Sequence, residues 1–322
     1  MKNIRIFLIS ILFIIPICVY ADSQASIVMD PENPAPYESL KLTVKSYSFN
    51  VDTTKMTWYV NGKLFTSGIG EKTISINTRG VGESTPVLVK IETSDGGVLE
   101  LKLQVTPQNV DLIWESLEAY TPPFYEGKAL PGEGSIIRAT AIPSFSENGK
   151  QILPSNLSYS WYINDEYIDN ASGYGKQYAN LKLDYLTEKT NIKVRVQSVK
   201  GYISEKTLSI LPHEIMPLFY SYDEILGNDF SQLLNRRIET VRDVNINLVP
   251  FYLSTKGTLN SATSYAWALN GLPITPQDNL SVILAPAENS RGSKILSVTI
   301  SNSKRILQKA TSKLEIIFDT RN

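Results

Sequence analysis

The chain has 322 residues, 42% hydrophobic and 20% charged, with 31 Lys and Arg against 32 Asp and Glu. This is a globular composition with length for two or three packed cores, not that of a disordered tail. The formal net charge of −1 becomes −3 when Lys2 and Arg5 of the opening segment are set aside, which argues against nucleic acid or an anionic membrane surface as the main partner.

Residues 1–21 stand apart. Lys2 and Arg5 precede the apolar run Ile6 to Tyr20, and Val19-Tyr20-Ala21 ends on a small residue. A basic start, a short apolar core and a small-residue exit predict a secretory signal peptide cleaved after Ala21. The run is short of the roughly 20 residues a membrane span requires, and retention as an uncleaved anchor is the alternative. Cys18, the only cysteine, follows Ile17 and not a small residue, so it does not read as a lipidation site. The rest of the chain then has no thiol, disulfide or cysteine-based metal site. No later run approaches membrane-span length.

Three short stretches recur in the remainder: "MTWYVNG" from Met56, "YSWYIND" from Tyr159 and "YAWALNG" from Tyr265. Their tryptophans, Trp58, Trp161 and Trp267, are 103 and 106 residues apart. Each follows a large residue two positions earlier, which places both side chains on one face of a strand. Asn61-Gly62 and Asn270-Gly271 are strong hairpin signals, and Asn164-Asp165 a weaker one, because these residues accept positive φ at low cost. Downstream of each lies a block that reads as two strands around a polar turn. The turns fall at Asp95-Gly96-Gly97, Lys200-Gly201 and Asn302-Ser303. Leu99, Leu101, Leu103 and Val105 alternate with polar residues, the period of a half-buried strand.

The second and third units share an upstream block. "DLIWESLEAY" around Trp114 and "PLFYSYDEIL" around Tyr220 each precede the unit's tryptophan by 47 residues, and "IIRATAIPSF" parallels "VNINLVPFYL". The first unit lacks this aromatic-rich insertion. The chain therefore divides near Pro107 and Pro212 into three related units, 22–106, 107–212 and 213–322. Helical spacing is confined to Tyr222–Arg237, where it predicts a short helix interrupted by Gly227. Everything else predicts an all-β protein of three tandem sandwiches.

A Trp strand, an Asn-Gly hairpin and a late strand such as "VKIETSDGG" resemble the immunoglobulin-like and PKD-like domains repeated in exported bacterial proteins. The resemblance runs from Ser26 to Phe318. It departs from antibody-type domains in lacking the cysteine pair, and from a typical PKD domain in the aromatic insertions. It implies a spacer, stalk or binding module at a bacterial cell surface or in the cell envelope. In such a sandwich Trp58, Trp161 and Trp267 fill the core between the sheets in preference to serving as sugar platforms.

Catalytic signals are weak. The sole histidine, His213, lies beside Pro212 at the second boundary, an unfavourable place for a catalytic triad. With one histidine and no cysteine after Cys18, the common zinc sites are excluded, and no other metal or cofactor is expected. "GIGEKT" from Gly68 has the wrong spacing for a phosphate loop. No calcium-loop pattern occurs. Asp165 and Glu166, the nearest approach to a carboxylate pair, fall in a hairpin turn where solvated charge is expected. The candidate ligand-binding residues are aromatic: Tyr120, Phe124 and Tyr125 in "EAYTPPFYEG", and Tyr220 and Tyr222 in "FYSYDEI". Loop tyrosines offer apolar area with a polar tip at small entropic cost. Their alternative role is to cover a sheet edge. Arg236, Arg237 and Arg242 read as a solvated edge. The expected function is non-enzymatic: a structural stalk or protein-interaction module of the exported cell envelope. The alternative is an adhesin binding a surface protein or glycan through the aromatic insertions.

Overall fold

The computed structural model describes residues 25–93, 96–186, 188–254, 262–287 and 291–320. The predicted signal segment 1–21 lies outside the described residues, as does Asp95 of the first late turn. The expected all-β class holds: no α-helix occurs among the described residues, and none of their helices is long and apolar enough to cross a membrane. By its contacts the chain forms two compact units. Among the described residues, one holds 25–32, Ser39–Asn77 and Thr85–Val105; the other holds Asn33–Glu38, Thr78–Ser84 and the described part of Thr106–Asn322.

The first unit consists of β1 (Ala25–Asp30), β2 (Ser39–Ser46), β3 (Lys55–Val60), β4 (Lys63–Ile69), β5 (Thr73–Asn77), β6 (Thr85–Glu92) and β7 (Val98–Val105). They form two antiparallel sheets, β1-β2-β5 and β4-β3-β6-β7. Period-two alternation puts Leu40, Leu42 and Val44 of β2 and Val87, Val89 and Ile91 of β6 into one core with Met56 and Trp58. Asn61 (φ 53°) and Gly62 (φ 75°) close the β3–β4 hairpin in the left-handed region, the geometry that matches strand twist across a two-residue turn.

The second unit contains two further sandwiches. The first is built from β8 (Asn109–Ser116), β9 (Ile136–Ser144), the short pair β10 (Ser146–Glu147) and β11 (Lys150–Gln151), β12 (Ser158–Ile163), β13 (Glu166–Tyr167), β14 (Gly173–Tyr174), β15 (Tyr178–Lys182), β16 (Thr190–Gln197) and β17 (Ile203–Ile210). Its main sheets are β15-β9-β8 and β13-β12-β16-β17, enclosing Tyr159, Trp161, Ile137, Leu181 and Val194. The second is built from β18 (Met216–Asp223), β19 (Gly227–Leu234), β20 (Arg236–Thr240), β21 (Val244–Phe251), β22 (Thr263–Leu269), β23 (Leu272–Pro273), β24 (Ser281–Leu284), β25 (Arg291–Asn302) and β26 (Lys309–Asp319). Its sheets, β19-β18-β21-β24 and β20-β26-β25-β22-β23, enclose Phe219, Trp267, Leu248, Val298 and Ile316. The pairing is antiparallel except that β20 runs parallel to β26.

The three tryptophan strands share one arrangement. Trp58 and Trp161 are fully buried and Trp267 nearly so. Each indole Nε1–H donates to a backbone carbonyl beyond its hairpin: Glu71 at 2.7 Å, Lys176 at 3.0 Å and Asn279 at 3.1 Å. The polar edge of each ring is thereby satisfied inside an apolar layer. The hairpin asparagines act alike. Asn61, Asn164 and Asn270 sit at φ 53°, 48° and 51°, and their N–H groups donate to Pro86, Asn191 and Ile295. In the last two the side-chain oxygen also accepts the N–H of Asn191 or Ile295.

Two sequence expectations are corrected. Tyr222–Arg237 is not helical. Its Leu226, Phe230, Leu233 and Leu234 do follow a helical stripe, but Gly227 takes φ 79° and begins β19, which pairs with β18. Asp223 Oδ1 accepts the N–H groups of Ile225 and Leu226 at 2.8 and 2.9 Å and so fixes the turn. An Asx turn with a left-handed glycine overrides the weak helical period. The third late turn is longer than expected, because β25 continues through Asn302 and the chain returns only at Lys309.

Candidate functional site

Between β8 and β9 of the second unit, residues 117–135 form the insertion that the first unit lacks. Its first stretch lies along the end of β21. Tyr120 N–H donates to Leu253 O at 2.9 Å, Tyr252 N–H donates to Tyr120 O at 2.8 Å, and Ala119 bridges Ser254. Tyr120 and Leu130 then cover a small core of Tyr220, Val249, Phe251 and Tyr252. Burial raises the Tyr120 and Tyr220 hydroxyl pKa values.

Two polar contacts fix this attachment. The Glu118 carboxylate takes both oxygens to Arg305 Nη2, at 3.0 and 2.9 Å, and one oxygen also accepts Ile136 N–H. Beside it lies a buried polar knot of Ser135, Ser254, Asn302 and Gln308. Gln308 Nε2 donates to Glu133 O at 3.0 Å and to Ser254 Oγ at 2.6 Å, with Ser135 Oγ at 3.2 Å. Gln308 Oε1 accepts Ser254 N–H at 2.9 Å.

The chain then turns outward at Pro122-Pro123, and Phe124 at φ 61° is fully exposed. Tyr125 folds back: its ring meets Phe251 edge-on at 5.4 Å and its hydroxyl is 3.0 Å from that of Tyr252. That hydrogen bond, together with burial, pushes the Tyr252 hydroxyl up to about 12. Across from it the β18–β19 hairpin carries Tyr222, Leu226 and Phe230, with Phe230 edge-on to Tyr220 at 5.1 Å. The result is an open groove of about 840 Å³. Phe124, Tyr125 and Phe251 line one side with Pro122 and Pro123, and Tyr220, Tyr222, Leu226 and Phe230 the other.

Four of the five aromatic candidates thus meet at one groove: Phe124, Tyr125, Tyr220 and Tyr222. Tyr120 does not line it and lies in the attachment beneath. Leu226, Phe230 and Phe251 went unread in the sequence, the first two hidden by the helical reading. A turn reading of Asp223 to Gly227 would have exposed them as one strand end. The lining has no Lys or Arg; it contributes Glu126, and the hairpin adds Asp223, Glu224 and Asp229. Hydrogen bonds from backbone N–H groups lower the Asp223 pKa, and those from Ser231 lower that of Asp229. Glu126 is thus the one charged residue of the lining itself.

His213 lies 6.2 Å from Tyr252, ring centre to ring centre, and its backbone N–H donates to Pro131 O. Among the described residues, no group of three His, Cys, Asp or Glu is placed to hold a metal ion.

No protein family and no curated protein matches the chain. Solved structures of similar fold include the fibronectin(III)-like modules of Clostridium thermocellum CbhA, at 15% identity and TM-score 0.28, covering 58% of this chain and 94% of that one. Another concerns host cell surface retention of a 1.5-MDa bacterial ice-binding adhesin, at 9% and 0.24, covering 92% and 96%. A third is SGBP-B of the Bacteroides ovatus mixed-linkage glucan utilization locus with a mixed-linkage heptasaccharide, at 12% and 0.22, covering 92% and 71%. Likenesses this loose bear on no residue or ligand of this chain. By its own sheets the chain is an all-β protein of tandem immunoglobulin-like sandwiches.

Proposed function

We propose that the protein is a non-enzymatic interaction module of the exported cell envelope, which holds an extended peptide segment of a partner surface protein in the aromatic groove. The observation that carries this reading is an open groove with uncovered Phe124, Leu226 and Phe230, whose lining has Glu126 as its one charged residue. Contiguous exposed apolar surface with a polar rim is a mark of interaction sites. A single carboxylate, Glu126, on an otherwise apolar and uncharged lining suits a segment that combines apolar residues with a Lys or Arg. A glycan is the second reading, since tyrosine faces also stack on sugars. The mostly hydrocarbon lining, including two prolines and a leucine, favours peptide.

The test is selection of a random-peptide display library on the full chain, with a panel of soluble cell-surface glycans titrated in parallel. Enriched peptides should combine aromatic or aliphatic residues with Lys or Arg. Phe124→Ala with Phe230→Ala should weaken them about ten-fold or more while the melting temperature stays within about 2 °C. Glycan binding with no peptide enrichment would replace this reading with the second.

A further inference from the structure

The groove contains a polar element that its aromatic walls do not explain. Along β21, Ile246 and Leu248 enter the core around Trp267, so Asn247 between them faces the opposite side of the sheet. In the order β19-β18-β21, strand β18 separates Asn247 from Asn228 of β19. Asn247 Nδ2 nevertheless reaches across it and donates to Asn228 Oδ1 at 2.8 Å. Asn228 stands opposite Tyr222 in the β18–β19 pairing, is partly buried and lines the groove. An amide whose oxygen is held in this way has its orientation fixed, and its two N–H groups remain to donate. Among the described residues, the Asn228 Nδ2 has no hydrogen-bond partner.

Of the lining side chains among the described residues, Asn228 alone carries an N–H group. An extended peptide laid against Phe124, Tyr222 and Phe230 has backbone carbonyls taken out of water. Each of them must find a donor or weaken binding. A neutral amide meets that need without a second charge. A backbone carbonyl is the same at every residue, so such a contact fixes where the segment sits. The choice of side chains is left to the aromatic walls and Glu126.

We propose that Asn228 sets the register of the bound segment by donating from Nδ2 to one of its backbone carbonyls, an assignment that rests on the peptide reading of the groove. Asn247 is the positioning residue: it holds the Asn228 oxygen and so leaves the donor end to the ligand.

A double-mutant cycle on the full chain tests it, the probe being a peptide enriched from the display library with its amide bonds replaced by esters one at a time. An ester carbonyl is a poorer acceptor than an amide carbonyl. In wild type, the ester at one position should weaken binding about three-fold or more. With Asn228→Ala in place, the same ester should have almost no further effect. Asn247→Ala, outside the lining, should weaken the unmodified peptide about three-fold or more, and adding it to Asn228→Ala should weaken binding no further. In the wild-type protein the Asn228 side-chain amide protons should shift downfield by NMR on adding the peptide, and less with the sensitive ester. If no ester loses its effect in Asn228→Ala, if that NMR signal stays put, or if Asn247→Ala binds as wild type does, this assignment is overturned while the peptide reading stands. If no peptide is enriched, both fall.

Discussion

Trp161 combines two roles that can be separated by substitution. Its ring fills the layer between two sheets with no exposure, and its Nε1–H satisfies the Lys176 carbonyl at 3.0 Å. Trp161→Ala should destabilise the protein by about 3–5 kcal/mol, measured by urea unfolding. Trp161→Phe keeps most of the packing but leaves that carbonyl unpaired, and should cost about 1–3 kcal/mol. The tryptophans were legible because a large aromatic at a fixed place in an alternating strand has few alternatives to the core. Their carbonyl partners were not, since Glu71, Lys176 and Asn279 contribute only backbone oxygen. The Tyr125–Tyr252 hydroxyl pair gives a second prediction at this scale. A phenol whose folded pKa lies above its ordinary value near 10 stabilises the fold below that value and loses the contribution as pH rises through the folded one. Tyr252 and Tyr159, both pushed up to about 12, therefore predict alkaline loosening between about pH 10 and 12. Tyr125→Phe removes the hydrogen bond that is the larger cause for Tyr252. Ultraviolet difference titration should then show one phenol ionising at lower pH than in wild type.

The β18–β19 hairpin shows how an element can be misread from its apolar spacing. Leu226, Phe230, Leu233 and Leu234 suit a helix, yet pairing with β18 and the turn chemistry at Asp223 and Gly227 make a strand whose side chains form one wall of the groove. The decisive signals were local and polar, and periodicity does not report them. Gly227→Val would force a β-branched residue into φ 79°, at a cost of about 1–2 kcal/mol. Amide exchange along Gly227–Leu234 should accelerate far more than in the tryptophan strands, and peptide binding should weaken with it. The Asp223 carboxylate adds a pH dependence. Its folded pKa lies below the ordinary value of 3.8, because it accepts two backbone N–H groups. Its contribution is present above that value and disappears as pH falls through the lower folded one, so exchange at the hairpin tip should rise only in strong acid.

At the scale of the whole molecule, the second unit ties two sandwiches together, each with its own tryptophan core. The tie was not legible. Ser135, Ser254 and Gln308 are ordinary polar residues widely separated along the chain, and nothing in their neighbours marks them as buried partners. Folded, they form a knot in which Gln308 alone contacts Glu133, Ser135 and Ser254. Glu118 and Arg305 close its side as a little-exposed ion pair. A buried network of this kind is effective only when complete, because each orphaned donor or acceptor costs about 1–3 kcal/mol. Residues Thr106–Asn322 should therefore unfold in one calorimetric transition in the wild-type protein. Gln308→Ala strands the Ser254 N–H and the Glu133 carbonyl while leaving both tryptophan cores intact. It should split that transition in two, with the groove's peptide affinity falling as its two walls lose their common support. Glu118→Gln weakens the neighbouring ion pair without opening the knot, and should lower the same transition by about 1.5–3 kcal/mol while keeping it single. If Gln308→Ala still unfolds in one transition, the apolar core of Tyr120, Tyr220 and Tyr252 is what couples the sandwiches, and the knot only fixes their register.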